Sequence, residues 1–240
     1  MEDPATPVEF AAVLVMAGAG ARLGANVPKA FVTLGGKPMW RHAAETFASM
    51  ASCRALVFVA PGDRVADVRA TWKNDDRLLV RIVTGGARRQ DSVRLGLAAV
   101  PPDVAVVAIH DAARPFIDAA TIENAVGQAA KSGASLVAVP ARDTIKRVSG
   151  GRVAETLDRS ALWQAQTPQC FRLDLVRRAH EAAERSGWDV TDDCALLERL
   201  GHEIAVVQGG AWNFKITDQD DLAAAEALLS RRGGAHKEKR

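Results

Sequence analysis

Short, uniformly apolar segments alternate with helical patterns along this chain, and this alternation restricts the possible folds more than any other feature. The apolar runs occupy residues 10–17, 55–60, 80–84, 104–109 and 135–140. Because they do not alternate with polar residues, they are typical of strands that helices cover on both faces. Helical patterns lie between or beside them, at residues 38–51, 91–100 and 121–131. The sequence therefore predicts an α/β fold with a doubly wound, largely parallel sheet.

Residues 141–169 interrupt this pattern. Two short β-like segments, 144–148 and 152–157, flank the turn sequence Ser149-Gly150-Gly151, which predicts a hairpin. The hairpin is basic and poor in apolar residues, so it cannot bury a core of its own. We therefore expect a projecting β-hairpin arm, over about residues 141–165, that docks on another surface.

The rest of the chain completes a single domain over residues 1–230. Helical patterns return and strand candidates follow, at residues 174–186, 192–200, 203–207 and 213–217, before a final helix over 218–230. Residues 231–240 carry five Lys or Arg and one Glu, and we expect them to form a basic, frayed and solvated tail.

Composition and charge exclude several classes of function. The net charge is +2, and the basic tail alone contributes +4, so the domain lacks the basic surface that nucleic acid requires. No apolar run approaches the ~20 residues of a membrane span. The N-terminus is acidic rather than signal-like, and three cysteines without metal-site spacing predict reduced thiols. We expect a cytoplasmic protein with neither nucleic-acid nor membrane partners.

A glycine-rich segment, Gly18-Ala19-Gly20-Ala21-Arg22-Leu23-Gly24, directly follows the first apolar run. Backbone N–H groups in such a loop can cradle phosphate oxygens, although many such loops are plain turns. The spacing does not match the dinucleotide-binding GxGxxG, and the P-loop lysine is absent. Arg22 and Lys29 favour a phosphate site, because nearby cations suit a transition state whose charge spreads over phosphoryl oxygens. The alternative is a solvated surface pair.

Charged residues also follow two other predicted strands. Asp111 and Arg114 come after the run at 104–109, and ligands of open α/β sheets bind beyond the carboxyl ends of strands. Asp111 can ligate Mg²⁺ directly or through water, or it can cap the next helix. We interpret His110 as a packed supporting residue. Lys215 lies in the strand candidate at 213–217, shortly before the start of the final helix. Its apolar neighbours suggest burial and hence an anionic partner, and the alternative is an edge-strand lysine.

Taken in order, the motifs of this chain resemble those of the 2-C-methyl-D-erythritol 4-phosphate cytidylyltransferases. They are AGxGxR followed by PK, then GGxxRxDSV, HDAARP, DT, QTPQ, TDD and NFKIT, over about residues 12–229. One departure is Ala30, where the family usually has Gln after the Pro-Lys pair. The resemblance implies a Rossmann-like nucleotidyltransferase that uses Mg²⁺ to join methylerythritol phosphate to CTP and releases pyrophosphate.

The resemblance also implies roles for residues at matching positions. Arg22 and Lys29 would stabilise charge on the α-phosphate, while Arg159 and Lys215 would position the methylerythritol phosphate. The same substrate pocket would be lined by Asp111, Arg114, Thr144, Thr167 and Thr191. CTP would be bound by Ala17, Gly18, Ala19, Gly20, Gly85, Gly86, Asp91 and Ser92. The family is homodimeric, and each arm reaches over the partner subunit, which gives the predicted hairpin its docking surface.

The reaction needs no general base, because a phosphate monoester with a second pKa of about 6 is largely a dianion near neutral pH. Catalysis then rests on positioning and on cations. Two alternatives stay open, a ribitol 5-phosphate cytidylyltransferase with most of the same motifs and an inactive nucleotide-binding module. The TIKRV run after Asp143 and the spacing from Arg22 to Lys29 favour methylerythritol. The joint retention of Arg22, Lys29, Asp111 and Lys215 argues against an inactive module.

Overall fold

The structure, a computed structural model, describes residues 7–17, 27–73 and 77–237. Its strands are β1 (Phe10–Val15), β2 (Thr33–Leu34), β3 (Lys37–Pro38), β4 (Cys53–Ala60), β5 (Leu79–Thr84), β6 (Val106–Asp111), β7 (Ala134–Pro140), β8 (Lys146–Ser149), β9 (Arg152–Thr156), β10 (Trp163–Arg172) and β11 (Ala205–Gln208). Its α-helices are α1 (Met39–Ser49), α2 (Val65–Thr71), α3 (Arg89–Ala98), α4 (Ala119–Ser132), α5 (Leu173–Ser186), α6 (Cys194–Arg199) and α7 (Gln219–Lys237).

A seven-stranded sheet in the order β11-β7-β10-β6-β1-β4-β5 forms the centre of the domain. β1 is buried along its whole length and pairs in parallel with β4 and β6. Successive β1 residues point to opposite layers, so Val13 packs in a cluster with α3, α5 and α6, and Leu14 in one with α1 and α4. The predicted doubly wound, largely parallel α/β fold is therefore confirmed.

The sequence does not predict β10, a ten-residue strand that lies between β6 and β7 and is antiparallel to both. It contains Gln166, Pro168 and Gln169, residues that rarely indicate an interior strand. The register shifts between Ala165 and Gln169, so the ladder is interrupted around the proline. Polar side chains are tolerated here because each is hydrogen-bonded within the core.

The predicted hairpin is confirmed as β8 and β9, which form a separate two-stranded sheet. Every residue of both strands is exposed, including Val148 and Val153. A 3-10 turn at Arg159–Ala161 connects the hairpin to β10. The arm therefore has no apolar core within its own subunit, as its composition indicated.

The C-terminal part of the chain differs from the sequence prediction in two places. The sequence predicts a strand over residues 213–217, but they have no regular secondary structure, and their backbone is held by Ile216 N–H donating to Ala113 O at 2.9 Å. The final helix, α7, continues to Lys237, so the predicted tail is helical over its described part. α7 also packs against the β2–β3 ribbon through Leu34 and Ala225. Among the described residues, no helix is long and apolar enough to cross a membrane.

Candidate active site

A cavity of about 200 Å³ opens at the carboxyl ends of β1 and β6. Its lining consists of Val15, Met16, Ala17, Lys29, Ala30, Arg89, Asp111, Ala113 and Lys215. This is the edge at which open α/β sheets bind ligands, because the strand ends and the loops that follow them converge there. The structure thus brings together four residues that the sequence singled out, namely Ala17, Lys29, Asp111 and Lys215.

Asp111 ends β6 and is the anionic centre of this cavity. Lys215 Nζ lies 2.5 Å from its Oδ2, and Arg89 Nε lies 3.2 Å from its Oδ1. Burial alone would raise the pKa of the Asp111 carboxyl, but the charges of Arg89 and Lys215 outweigh burial and hold that pKa well below its usual range. Asp111 is therefore ionised, as is required for it to hold two cations.

Arg89 is the first residue of α3, and it connects Asp111 to a second buried carboxylate. Its Nη1 donates to Asp193 Oδ2 at 2.8 Å, and His180 Nε2 lies 3.1 Å from Asp193 Oδ1. Burial opposes the charge of the guanidinium, but Asp193 and Asp111 outweigh it and raise the pKa of Arg89. The sequence does not single out Arg89, His180 or Asp193 as site residues. The GGxxRxDSV and TDD motifs contain Arg89 and Asp193, but these two residues are 104 positions apart, and their positions in the sequence do not reveal that they form an ion pair.

His110 and Thr167 support Asp111 from β6 and β10. The Arg114 carbonyl accepts from His110 Nε2 at 3.0 Å, so Nδ1 is free to accept from the Thr167 hydroxyl, also at 3.0 Å. The oxygen of that hydroxyl accepts from the Asp111 N–H at 3.1 Å. Burial lowers the pKa of His110 to about 4, so the ring is neutral at physiological pH. The predicted supporting role of His110 agrees with this geometry, and the Thr167 hydroxyl is engaged inside the protein.

A second cavity, of about 340 Å³, adjoins the first and contains Arg114. Its other lining residues are Val139, Pro140, Arg142, Asp143, Gln164, Ala165, Gln166, Ala211, Phe214 and Lys215. Arg114 is fixed by donating to Asn213 O at 2.8 Å and to Ala165 O at 3.1 Å. Lys215 lines both cavities, and each of them contains further cationic side chains.

The residues predicted to bind the nucleotide base meet at the start of α3. Gly86 N–H donates to Ser92 Oγ at 3.1 Å. A Cβ added to Gly85 would lie 2.5 Å from the Ala17 Cβ, so only glycine allows β1 and this turn to approach so closely. Asp91 instead caps α3, since it accepts from the Arg88 N–H at 3.2 Å and forms an ion pair with that side chain.

Other predicted site residues lie away from these cavities or outside the described residues. Thr144, Arg159 and Thr191 are exposed, and Arg159 donates to the Arg142 carbonyl at 2.6 Å. Neither Thr144 nor Arg159 lines either cavity of its own chain. Gly18, Ala19, Gly20 and Arg22 fall in the segment between residues 17 and 27, outside the part that the structure describes.

The donor set is compatible with Mg²⁺ held mainly by a nucleotide. No group of three or more His, Cys, Asp or Glu side chains with metal-site geometry occurs among the described residues. Asp111 is the carboxylate that lines the first cavity, and both of its oxygens already face cations. Mg²⁺ in phosphate-transfer sites typically takes one or two carboxylates and completes its shell with phosphates and waters. Asp111 can serve as the single protein ligand of such an ion through a bridging water, or directly once one of these cations has moved away.

Comparison with known proteins identifies close relatives over nearly the whole chain. The family model for 2-C-methyl-D-erythritol 4-phosphate cytidylyltransferase matches residues 10–231. The enzyme of that name from Bacillus velezensis is 42% identical, and the match covers 95% of this chain and 99% of that enzyme. The crystal structure of the Thermus thermophilus enzyme is similar with a TM-score of 0.75 and 32% identity, covering 91% of this chain and 98% of the other.

A second solved structure supports the same fold assignment. The 4-diphosphocytidyl-2C-methyl-D-erythritol synthase from Anaerococcus prevotii superposes with a TM-score of 0.81 at 26% identity. That match covers 94% of this chain and 100% of the other.

The bifunctional IspD/IspF enzyme of Rhodospirillum rubrum is a further sequence relative. It is 43% identical, and the match covers 94% of this chain and 58% of that enzyme.

Proposed function

Because this chain belongs to the family of 2-C-methyl-D-erythritol 4-phosphate cytidylyltransferases, we propose that it joins 2-C-methyl-D-erythritol 4-phosphate to CTP. The observation that supports this most directly is that Lys215 lines two adjoining cavities. One cavity is lined by Lys29 and by Ala17, which is among the residues predicted to bind CTP, and the other is lined by Arg114. A transferase that joins two phosphates needs two such compartments with cations at their boundary.

In this reaction an oxygen of the methylerythritol phosphate attacks the α-phosphorus of CTP. One P–O bond forms, the bond from the α-phosphorus to the bridging oxygen breaks, and pyrophosphate leaves with that electron pair. The attacking phosphate is already a dianion near neutral pH, so no side chain has to remove a proton. The obstacle is the repulsion between two highly charged phosphates, which fixed cations reduce in the transition state.

The nucleotide is assigned to the cavity at the end of β1. Lys29, together with Arg22, would stabilise the charge that develops on the α-phosphate. Gly85 and Gly86, whose turn packs against Ala17 of the cavity wall, would bind cytosine and ribose through their backbone. Ser92 is fully buried, and its hydroxyl accepts from the Gly86 N–H at 3.1 Å, so it would hold this turn in place.

Methylerythritol phosphate is assigned to the cavity that contains Arg114. Lys215 and Arg114 would hold its phosphate, and Thr144 and Arg159 would complete this compartment from the arm of a second subunit. Two features support a homodimer built in this way. Both strands of the arm are fully exposed in one chain, and Arg159 does not line its own cavities. Thr191 is exposed and would act at the rim of the pocket.

Mg²⁺ is part of the proposal, with Asp111 as its protein ligand, directly or through water. When bound, the ion would neutralise phosphate charge and orient the triphosphate. We also propose a cytoplasmic location, because the three cysteines Cys53, Cys170 and Cys194 are separate, buried and free.

A pyrophosphate-release assay tests the function. CTP, UTP and GTP are each combined with methylerythritol phosphate or with ribitol 5-phosphate, with and without Mg²⁺. We expect rapid release only with CTP, methylerythritol phosphate and Mg²⁺ together. Preference for ribitol 5-phosphate would assign the chain to the alternative substrate, and equal turnover with UTP or GTP would refute the assignment of the base site. No release with any pair would indicate the inactive module.

A further inference from the structure

Asp111 and a substrate phosphate would compete for the Lys215 ammonium group. Its carboxylate is nearly buried, with 12% of the side chain exposed, and Lys215 is its closest cationic partner. If the ammonium group moves to a substrate phosphate, Asp111 loses one of the two protein side-chain cations that face it. A buried carboxylate without a cationic partner is strongly destabilised. If Lys215 were the sole partner of Asp111, this cost would keep the ammonium group in its ion pair and away from the substrate phosphate.

Arg89 resolves this conflict because it binds the other carboxylate oxygen and lies on a different element. Lys215 comes from the irregular segment before α7, whereas Arg89 begins α3. When Lys215 moves, Arg89 can stay and keep Asp111 paired. This requires that Arg89 itself be fixed in place.

Asp193 fixes Arg89 through a different guanidinium nitrogen from the one that contacts Asp111. Its side chain is 1% exposed and binds Arg89 Nη1 at 2.8 Å. His180 Nε2 lies 3.1 Å from its other oxygen, and Gln169 of β10 accepts from the Asp193 N–H at 2.9 Å. Asp193 is thus tied to α5 and to the central sheet, while it lines neither of the two candidate substrate cavities.

We propose that Asp193, supported by His180, is a positioning residue that acts through Arg89 and Asp111 to make the Lys215 ammonium group available to the substrate phosphate. This inference rests on the proposed function and adds residues that do not touch substrate. A purely structural role would be to tie α6 to α3, and that role does not involve Lys215. The two roles therefore differ in whether the effects of Asp193 and Lys215 are coupled.

A double-mutant cycle tests this coupling. The kcat and KM for methylerythritol phosphate and for CTP are measured for wild type, Asp193→Asn, Lys215→Gln and the double variant. We expect Asp193→Asn to lower kcat/KM for methylerythritol phosphate on the order of 10- to 100-fold, with little change in the KM for CTP. The double variant should be about as slow as Lys215→Gln alone, because Asp193 acts only through Lys215.

Two further variants keep the test decisive. Arg89→Lys retains the charge but replaces the separate Nε and Nη1 donors, which reach the two carboxylates, by a single nitrogen. It should therefore show the same coupling to Lys215→Gln even if Asp193→Asn folds poorly. Arg177→Gln is the matched control, since Arg177 is a partly buried arginine that donates to Leu97 O at 2.8 Å and Val100 O at 2.9 Å, away from the cavities. Arg177→Gln should lower thermal stability. Any fold-change that it causes in kcat/KM should multiply with the fold-change caused by Lys215→Gln, which means that the two are not coupled.

The possible outcomes separate the two proposals. If wild type is active but Asp193→Asn and Arg89→Lys each multiply with Lys215→Gln as the control does, the positioning role is wrong and the proposed function stands. If wild type releases no pyrophosphate from CTP and methylerythritol phosphate, the proposed function fails and the positioning role fails with it. Coupled losses in both variants, without coupling in the control, support the inference.

Discussion

Gly96 of α3 lies so close to Val13 of β1 that a Cβ on the glycine would stand 2.7 Å from the valine Cγ1. The same Cβ would lie 2.7 Å from Val59 Cγ2 on β4. The missing side chain therefore lets α3 rest directly on the centre of the sheet. Since Arg89 and Ser92 belong to the same helix, the close approach also determines where these two residues stand at the site.

We expect Gly96→Ala to lower the free energy of unfolding by ~1–3 kcal/mol, because the added methyl group overpacks the layer between α3 and β1. Gly127→Ala on α4 is the matched control, since a Cβ there meets nothing within 4 Å. That variant should gain up to ~1 kcal/mol from helix propensity alone. Urea unfolding of both variants measures the difference. Equal changes in the free energy of unfolding would show that the contact between α3 and β1 has room for a methyl group at position 96.

Lys29→Ala should lower kcat by ~10²–10³ and change the KM for CTP little. The reason is that its contact strengthens as charge builds on the α-phosphate, so the loss appears in the chemical step. Steady-state kinetics with varied CTP measures both constants. Lys131→Ala removes an exposed lysine from the last turn of α4 and should leave both constants unchanged. A higher KM with unchanged kcat would assign Lys29 to ground-state binding instead.

Lys29→Ala and Arg159→Ala should complement each other in a mixed dimer, although each is inactive alone. One site of the mixed dimer then combines an intact core with an intact arm, and the other carries both lesions. Random exchange of equal amounts makes half of the dimers mixed, so about a quarter of wild-type activity should return. Co-refolding and a pyrophosphate-release assay measure this recovery. Differential tags verify that mixed dimers form, and their presence without activity would contradict a shared site.

Thr167→Val should destabilise the protein by roughly 1–3 kcal/mol, because two buried groups lose their hydrogen-bond partner. These groups are the Asp111 N–H and His110 Nδ1. Thr167→Ser retains the hydroxyl and should cost much less. Thermal unfolding gives the stability of each variant, and kinetics give the KM for methylerythritol phosphate. A raised KM with unchanged stability would show instead that the hydroxyl binds substrate directly.

The sheet could be predicted because its strands are continuous apolar runs, which β1 and β4 show most clearly. β10 could not be predicted in the same way. Its buried part includes Gln166 and Gln169, whose polar groups are satisfied by partners far away in sequence. Propensity and hydrophobic period carry no information about such long-range hydrogen bonds.

The candidate site shows the same division. Asp111 and Lys215 could be singled out because motif positions and predicted strand ends mark them, but their direct contact joins residues 104 positions apart. Arg89 was overlooked because a charged residue at the start of a helix is most often solvated. Only the fold shows that it lies between two buried carboxylates.

β10 leaves the exposed arm at Trp163 and enters the core by Gln169 without a break in the backbone. A second subunit that bound the arm, as proposed above, would therefore hold the same strand that carries the Thr167 hydroxyl and the Gln169 amide. The arm is consequently not an independent module that can be exchanged between relatives. A chimaera that takes its arm from another enzyme should take residues 163–172 as well, since a junction inside the strand would separate the part that docks from the part that aligns the site.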